Sequence, residues 1–312
     1  MKTKISVIIP VYNGEDDISI SLESLLSQTY PDFEVIIIDD GSTDNTFKII
    51  EDYIKKDKRF KYVHQENKGV AMARNKGLKI SRGENICFLD SDDFYEKSFL
   101  EKMYNTIVNT NTDVCYCGFT IVTPRGAAKK KSLFVSGGIL KEYILGTVAV
   151  HTTGWIIKKE LLQRHNILFP EGVSWGEDFE FFCEVLALTN NISYVNEYLT
   201  NYRFAFKEEQ LSSFTLEKCS EDYESIMRIV INKKINKNSN INRALIEYRL
   251  SALLTYRLLS AISIKVAKKD IIHCYNTHKK YVNKLTWNNG LRSFKLNFSK
   301  LKLQYHLRKI SK

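Results

Sequence analysis

The chain has 312 residues, of which 44% are hydrophobic, 12% aromatic and 26% charged, a composition that excludes a disordered or fibrous protein. This length allows two domains at most. The longest uncharged run, 143–157, is too short to span a bilayer of about 30 Å. The chain opens without a secretory signal pattern, and its six cysteines form no C-x-x-C pair, so we expect a reduced, cytoplasmic protein.

The charge is distributed unevenly along the chain. The net charge is +10, but residues 241–312, which we call the basic tail, contain sixteen Lys and Arg and only two acidic residues. The basic tail therefore carries a net charge of +14 and the first 240 residues carry −4. This asymmetry indicates an anionic partner, either a membrane or a nucleic acid.

The first hundred residues alternate between predicted strands and predicted helices. Nearly unbroken apolar runs predict strands over 5–9, 34–38, 60–65 and 85–89. Apolar spacing of three to four residues predicts helices over 16–28, 45–56 and 69–80. Pro10 is expected to end the first strand, and Asp44 to cap the second helix. Such alternation predicts an α/β fold whose parallel strands are covered on both faces.

The pattern is looser beyond residue 110. We expect strands over 113–119 and 192–195, a basic loop over 124–131, a strand continuing into a short helix over 154–162, and a helix over 176–188. Helices are expected from residue 216 onward. The predicted organisation is a body, 1–215, with a donor half of about 1–110 and an acceptor half of about 111–215, followed by a helical, basic region, 216–312.

Four polar clusters follow the predicted strands, at 10–13, 39–42, 66–69 and 90–93. Open α/β sheets bind ligands at the carboxyl ends of their strands, so we expect these clusters to converge at one sheet edge.

Three carboxylates repel one another within the cluster Asp90-Ser91-Asp92-Asp93, and a hard divalent cation would relieve that repulsion. The alternative is a solvated helix N-terminus in which the Asp side chains accept from free N–H groups. The cluster 39–44 allows the same two interpretations, a helix cap or an acceptor of a ligand's N–H donors.

Taken together, the segments 5–13, 38–44, 67–77 and 88–93 resemble the family 2 glycosyltransferases. The resemblance is dense over 4–100 and recognisable to about 205. It implies the A-type glycosyltransferase fold, which is a Rossmann-like, mostly parallel central sheet flanked by helices. It also implies an inverting, nucleotide-sugar-dependent enzyme of bacterial capsule or surface polysaccharide synthesis.

The resemblance implies roles for individual residues. Asp40 corresponds to the carboxylate that accepts from uracil N3–H, so the expected donor is a UDP-sugar. Asp90 and Asp92 correspond to the D-x-D motif, and either Asp92 or Asp93 is the main ligand of Mn²⁺ or Mg²⁺. The other residues that it implies for nucleotide-sugar binding are Pro10, Val11, Tyr12, Asn13, Glu15, Asn67, Lys68, Arg74, Ser91 and Arg203.

On the acceptor side the resemblance implies roles for Trp175, Glu177 and His151, with Asp178 as the general base. Acidic residues also favour helix N-termini for electrostatic reasons alone, and His151 also suits a structural strand-end position. Arg203 precedes a segment, 210–213, that corresponds to a loop closing over the diphosphate; an exposed arginine is the alternative.

The implied reaction is a direct displacement at the anomeric carbon. It would transfer a hexose or N-acetylhexosamine from a UDP-α-sugar to a hydroxyl of a glycan acceptor. The resemblance also implies that this acceptor is carried on a polyprenyl-type lipid.

An apolar stripe recurs in the basic tail at three- and four-residue spacing, and it predicts a helix of about four turns. Its members are Leu291, Phe294, Phe298, Leu301 and Tyr305. Six cations are expected around it: Arg292, Lys295, Lys300, Lys302, Arg308 and Lys309. This layout indicates a peripheral contact with the inner face of the cytoplasmic membrane.

Other interpretations of the basic tail stay open. The stripe could pack on the body or on a second subunit of a homo-oligomer, and 296–305 also partly fits strand alternation. The tail's aromatic residues mostly fall at helical core spacing rather than forming a stacking platform, so no nucleic acid partner is expected.

Overall fold

The computed structural model describes residues 3–173, 175–204, 215–235, 239–287 and 289–310. The segment 210–213 lies outside these residues. The chain divides into two compact units, Met1–Phe206 and Lys207–Lys312.

The first unit is built on one sheet, which has nine strands within the described residues. They are β1 (Ile5–Val11), β2 (Phe33–Asp39), β3 (Phe60–His64), β4 (Asn85–Phe88), β5 (Phe94–Tyr95), β6 (Val114–Thr123), β7 (Gly126–Lys129), β8 (Trp155–Lys158) and β9 (Ile192–Arg203). The helices of this unit are α1 (Ile18–Leu26), α2 (Thr46–Lys56), α3 (Val70–Ile80), α4 (Phe99–Asn109), α5 (Leu140–Ile144), α6 (Lys159–His165) and α7 (Glu177–Leu188).

The strand order is β3-β2-β1-β4-β8-β6-β9-β5, and β7 pairs with β6. The first four strands are parallel, as predicted from their apolar runs. Strand β8 is antiparallel to both β4 and β6, and β6 is parallel to β9. The α/β fold is therefore confirmed, with a mixed sheet in which β1 to β4 of the donor half are all parallel and the acceptor half contains both parallel and antiparallel pairs.

Helices cover both faces of the sheet. Successive residues of a strand point to opposite sides, so alternate residues of one strand join different core clusters. In β1, Ile5, Val7 and Ile9 join a core cluster with residues of α1, α2 and α4. Ile8 joins a second cluster with residues of α3, α6 and α7. Each fully buried aliphatic side chain contributes about 1.5–3 kcal/mol, so the two clusters hold the strand ends in fixed positions.

Strand β1 continues through Pro10 to Val11, so the prediction that Pro10 ends it was wrong. The Ile8 carbonyl accepts from Leu89, and the Val11 carbonyl accepts from Asp40, so alternate residues bond toward β4 and toward β2. Pro10 therefore faces the β4 side, beyond the last pair on that side, Ile8 with Phe88. Its missing N–H breaks no ladder bond there.

The prediction of a basic loop over 124–131 was also wrong. Residues Gly126–Lys129 form β7, which pairs antiparallel with the end of β6, and Pro124 and Arg125 make the two-residue turn between them. Strands β6 and β9 are longer than predicted because they pair with each other over most of their length.

The second unit is helical, as predicted. Its helices are α8 (Lys218–Ile231), α9 (Ser239–Arg243), α10 (Ser251–Ser263), α11 (Lys268–Val282) and α12 (Leu291–Ile310), and a π-helical segment, Ala244–Leu250, joins α9 to α10. Residues 296–305 lie within helix α12, so the alternative that they form a strand was wrong. Helix α12 packs on α10 and α11. Among the helices that the structure describes, none is long and apolar enough to cross a membrane.

Candidate active site

Asp40 lies at the carboxyl end of β2, and its buried carboxylate organises the loop that follows β3. Its Oδ1 accepts from the Lys68 N–H at 2.9 Å and from Gln65 Nε2 at 2.8 Å, and its Oδ2 accepts from the Gly69 N–H at 2.7 Å. A carboxylate offers about four acceptor positions. Asp40 thus has capacity for one further N–H donor on Oδ2.

The neighbouring carboxylate, Asp39, serves the loop instead. It accepts from the Ser42 N–H at 2.8 Å and from the Tyr62 hydroxyl at 2.7 Å. Burial on its own raises the pKa of Asp39, but these hydrogen bonds lower it below the ordinary value. Asp39 therefore holds the loop after β2 and does not cap α2, whose first residue, Thr46, donates its N–H to Asp44 Oδ1 at 3.0 Å.

The loop after β1 is joined to the loop after β2. Asn13, with a positive φ of 48°, donates its N–H to Ser42 Oγ at 2.9 Å and accepts from the Thr43 N–H at 2.8 Å. Glu15 Oε2 accepts from the Asn45 N–H at 3.0 Å. Glu15 and the Asn13 side chain therefore hold the loops together, which the sequence analysis did not anticipate.

The other predicted nucleotide-binding residues of these loops differ in exposure. Pro10 and Val11 are buried as part of β1, whereas the Tyr12 side chain is 52% exposed. Asn67 and Lys68 are exposed on the loop that Asp40 organises. Gly41 has a positive φ of 85°, and a Cβ there would lie 2.9 Å from the Asn67 nitrogen, so the two loops approach closely.

The acidic cluster after β4 is anchored on α1. The Ser21 hydroxyl lies within hydrogen-bond distance of the carbonyls of Ser91, at 2.8 Å, and Asp93, at 2.7 Å. Burial, together with the charge of Asp90, raises the pKa of Asp92 to about 6. The same causes raise the pKa of Asp93 well above its ordinary value. The predicted mutual repulsion of these carboxylates is thus present in the structure.

Among the described residues, Asp90, Asp93 and His151 form a group that could hold a metal ion, with one ligand atom from each within 4.8 Å of the others. Asp93 Oδ2 is buried without a hydrogen-bond partner and lies 3.4 Å from His151 Nδ1. Two carboxylates, an imidazole and a buried oxygen without a partner fit a divalent cation. Of the two predicted ligands, this group includes Asp93 but not Asp92.

Arg74 lies in α3 and is buried between two acidic motifs. Its Nη2 donates to Asp90 Oδ1 at 2.7 Å and its Nη1 donates to Glu177 Oε1 at 3.0 Å. Its guanidinium also lies over the Phe169 ring, 5.1 Å from the centroid. Burial alone lowers the pKa of Arg74, but Asp90 and Glu177 raise it above its ordinary value. Arg74 was predicted to reach the nucleotide, and the structure gives it two carboxylate partners within the protein.

Asp178 lies in the first turn of α7, after Trp175 and Gly176. Its Oδ2 accepts from the Thr152 hydroxyl at 2.8 Å, and its Oδ1 accepts from the Phe179 N–H at 2.6 Å. Burial and the adjacent Asp178 charge raise the pKa of Glu177, even though Arg74 lowers it. Thr152, which the sequence analysis missed, orients Asp178, and its position beside His151 was the only signal available for it.

His151 connects these groups. Burial lowers the pKa of the His151 imidazole below its ordinary value, although the charges of Asp90 and Asp178 act in the opposite direction. Its ring centroid lies 4.6 Å from that of Tyr202 at the end of β9. His151 therefore belongs to the site, and the acidic cluster and the N-terminus of α7 both lie near it.

Arg203, the last residue of β9, lies beside the acidic cluster. Its N–H donates to Asp93 Oδ1 at 2.9 Å, and its Nη1 donates to Asp17 Oδ1 at 2.9 Å. Arg203 is thus not a solvated surface arginine. Asp17 is a second residue that the sequence analysis missed, because it lay within the predicted helix 16–28 and belonged to no recognised motif.

Comparisons with known proteins agree with this architecture. The family described as Glycosyl transferase family 2 matches residues 6–176. The uncharacterized glycosyltransferase EpsJ of Bacillus subtilis (strain 168) is 31% identical over 208 residues, which is 64% of this chain and 60% of EpsJ. The putative teichuronic acid biosynthesis glycosyltransferase TuaG of the same organism is 33% identical over 65% of this chain and 79% of TuaG.

Two solved structures share the fold. S. aureus TarS 1–349 in complex with UDP-GlcNAc is 24% identical, with a TM-score of 0.71 over 98% of this chain and 90% of that one. The mannosyltransferase PcManGT from Pyrobaculum calidifontis, in complex with GDP-Man and Mn²⁺, is 16% identical, with a TM-score of 0.60 over 98% and 88% of the two chains.

The chain spans about 60% of the length of EpsJ, one of the curated relatives that it matches. The family match covers more than half of the chain and includes the first three polar clusters, the acidic cluster and Trp175. Asp178 follows two residues beyond it. On this evidence the chain belongs to glycosyl transferase family 2.

Proposed function

We propose that the protein is an inverting glycosyltransferase that moves a hexose or N-acetylhexosamine from a UDP-sugar to a hydroxyl of a glycan acceptor. One observation carries this proposal: Arg74 joins the acidic cluster at Asp90 to Glu177, the residue before Asp178. A metal-binding group and a candidate base are thereby held at the same sheet edge as Asp40.

The nucleotide is bound by the loops after β1, β2 and β3. Asp40 accepts from uracil N3–H at its remaining acceptor position, while Lys68 and Gly69 fix the orientation of its carboxylate. Pro10, Val11 and Asn13 form the wall beside the base, and the exposed ring of Tyr12 packs against it. Asn67 and the Lys68 side chain complete the nucleotide contacts, and Glu15 supports them by holding the loop.

Asp90, Asp93 and His151 would hold the metal ion, and Asp92 and Ser91 would contact the donor. When bound, a divalent ion neutralises the charge that develops on the departing diphosphate. An imidazole nitrogen suits a transition metal better than it suits Mg²⁺, so Mn²⁺ is the preferred ion. Arg203 contacts the diphosphate when the nucleotide is present, because its guanidinium lies at the acidic cluster, near the Asp92 carbonyl. Asp17 holds the guanidinium in that position.

Asp178 is the general base. Its Oδ2 removes the proton of the acceptor hydroxyl, while the Thr152 hydroxyl and the Phe179 N–H hold the carboxylate in place. The acceptor oxygen attacks the anomeric carbon from the face opposite the departing UDP, so a UDP-α-sugar yields a β-linked product. Trp175 binds the acceptor sugar by stacking, and Glu177 positions Arg74 rather than reacting.

The acceptor is a growing bacterial capsule or surface polysaccharide on a polyprenyl-type lipid at the inner face of the cytoplasmic membrane. The name of TuaG supports a role in surface polysaccharide synthesis. In this proposal, residues 1–110 bind the donor, 111–215 bind the acceptor, and 216–312 bring the site to the membrane or to a second subunit.

The test is a donor screen. The full chain with Mn²⁺ is incubated with individual UDP- and GDP-sugars, and nucleotide release is measured, with Asp40→Asn as the matched variant. We expect release from one UDP-sugar, with a KM for that donor that rises at least tenfold in Asp40→Asn. Release from GDP-sugars alone would contradict the assignment of Asp40 to uracil.

A further inference from the structure

Helix α12 has two apolar faces. Leu296, Leu303 and Leu307 are buried on the side that packs on α10 and α11. The other side, which we call the outer face, consists of residues whose side chains are each more than half exposed: Leu291, Phe294, Phe298, Leu301 and Tyr305. A helix that only had to pack within its own unit would need one apolar face, so the outer face requires a separate explanation.

The segment before α12 carries a further exposed apolar side chain. The Thr286 N–H donates to Asn297 Oδ1 at 3.0 Å, and Asn297 Nδ2 donates to the Thr286 carbonyl at 2.7 Å. Lys300 Nζ donates to the Lys284 carbonyl from a side chain that is only 2% exposed. These bonds fix the segment that carries Trp287, whose side chain is also largely exposed.

The buried position of Lys300 corrects the sequence analysis, which placed it among the exposed cations. Its burial lowers its pKa to about 8, and its role is to hold the preceding loop. The prediction that the tail's aromatic residues are mostly core residues was also wrong, because Phe294, Phe298 and Tyr305 are exposed on the outer face and Tyr256 is exposed on α10.

A row of cations runs beside the outer face. Lys295, Lys302 and Lys309 are exposed and follow one another at seven-residue spacing, which places them on one side of the helix. The Lys309 ammonium lies over the Tyr305 ring, 4.5 Å from its centroid. Residues 271–312 contain ten basic residues and no acidic residue. Within residues 271–312, the charged residues beside the outer face are therefore all basic.

We infer that the outer face is a docking surface for an anionic lipid bilayer. Exposed aromatic and leucine side chains enter the interface between headgroups and acyl chains, while flanking lysines contact anionic headgroups. A second copy of the chain fits this face less well, because pairing two outer faces would bring lysine rows together without acidic residues to neutralise them.

The inference deepens the proposed function, because a lipid-borne acceptor requires the enzyme to reach the membrane. Its test does not use the transfer reaction, so it can fail while the proposed activity holds, and the reverse is equally true.

The experiment is co-sedimentation of the full chain with vesicles of phosphatidylglycerol and phosphatidylcholine, compared with vesicles of phosphatidylcholine alone. We expect binding to the anionic vesicles that falls as salt increases. Phe294→Ser with Phe298→Ser should lower the partition coefficient at least tenfold. The triple variant Lys295→Glu, Lys302→Glu, Lys309→Glu should lower it by a similar factor.

Two matched controls have the same chemical changes elsewhere in the second unit. Ile231→Ser with Tyr256→Ser removes two exposed apolar side chains outside α12. Lys268→Glu, Lys269→Glu and Lys279→Glu reverses three exposed charges on α11. Both controls should bind vesicles within about twofold of the wild type, and circular dichroism should show unchanged helix content in all four variants.

Three outcomes would overturn the inference. Equal losses in the α12 variants and their controls would mean that the net charge of the tail, and not the outer face, binds the vesicles. A concentration-dependent dimer that Phe294→Ser with Phe298→Ser abolishes, without vesicle binding by the wild type, would assign the face to a second copy. Salt-dependent binding to mixed DNA with no vesicle binding would assign it to nucleic acid.

Discussion

Arg74 of α3 and Glu177 of α7 are 103 positions apart in the chain, and a buried ion pair of 3.0 Å joins them. The same guanidinium binds Asp90 at 2.7 Å. One side chain therefore fixes the distance between the acidic cluster and the helix that carries Asp178. A planar guanidinium can hold two carboxylates at once, whereas an ammonium acts as a single point charge.

Substitution of Arg74 by Lys should therefore lower kcat by about 10- to 100-fold, because the two motifs lose their common anchor. Arg74→Gln removes the charge altogether, and loss of one partner of a buried pair destabilises a protein by about 3–5 kcal/mol, so its Tm should fall. In a double-mutant cycle, Arg74→Gln with Glu177→Gln should lose less than the sum of the single variants. Strictly additive losses would show that the pair is not coupled.

Metal dependence should follow the group Asp90, Asp93 and His151. Asp93→Asn and His151→Gln should each raise the Mn²⁺ concentration for half-maximal activity at least tenfold, because each removes a ligand atom. Asp92→Asn should raise it less, since Asp92 lies outside that group. The measurement is a Mn²⁺ titration of activity in each variant after treatment with EDTA. Full activity of the wild type in excess EDTA would contradict the metal assignment.

Loss of the general base should abolish transfer and spare donor binding. Asp178→Asn is expected to lower kcat by about 10² to 10⁴, the usual contribution of general-base catalysis. Thr152→Val, which removes the hydroxyl that orients Asp178, should lower kcat by about tenfold. Calorimetry should give an unchanged affinity for UDP in both variants, and a loss of less than tenfold in Asp178→Asn would argue against its role.

Glu34 provides a pH-dependent test of the scaffold. Its carboxylate accepts from the Ser6 hydroxyl, the Arg82 N–H and Lys61 Nζ, each at 2.6 Å. Burial alone raises the pKa of Glu34, but these bonds lower it below its ordinary value of 4.5. A lowered folded-state pKa stabilises the fold above the unfolded-state value, and that stabilisation is lost as pH falls through the folded-state value.

Glu34→Gln should thus destabilise the protein at pH 7 by about 1–3 kcal/mol. The difference from the wild type should shrink as the pH falls from 5 through the folded-state value. Urea unfolding at several pH values measures this difference. A constant difference at all pH values would mean that the charge of Glu34 is not the source of the stabilisation.

The strands and the polar clusters of the donor half were predictable from the sequence, because parallel strands covered on both faces require unbroken apolar runs. Pro10 misled that prediction, because whether a proline ends a strand depends on the neighbour that it faces. The extent of β9 was likewise hidden, since its second half is stabilised by pairing with β6 and not by its own composition.

The site was predictable only where the residues that act together are close together in the sequence. The roles of Arg74 and His151 depend on partners distant in the chain, which come together because β8 pairs antiparallel with β4. Helix α12 was ambiguous for a related reason. Apolar residues of both faces alternate along the sequence, so their combined pattern resembles that of a strand. Only the structure shows that Leu296 and Leu303 are buried and therefore belong to a different face from the exposed residues.

The central claim, a direct displacement by a hydroxyl opposite the departing UDP, is tested most directly by the anomeric configuration of the first product. Water can replace the acceptor, so the wild-type protein, Mn²⁺ and the UDP-α-sugar found in the donor screen are followed by ¹H NMR without an acceptor. The account predicts that the free sugar appears first as the β-anomer and only later equilibrates. Initial appearance of the α-anomer would contradict it.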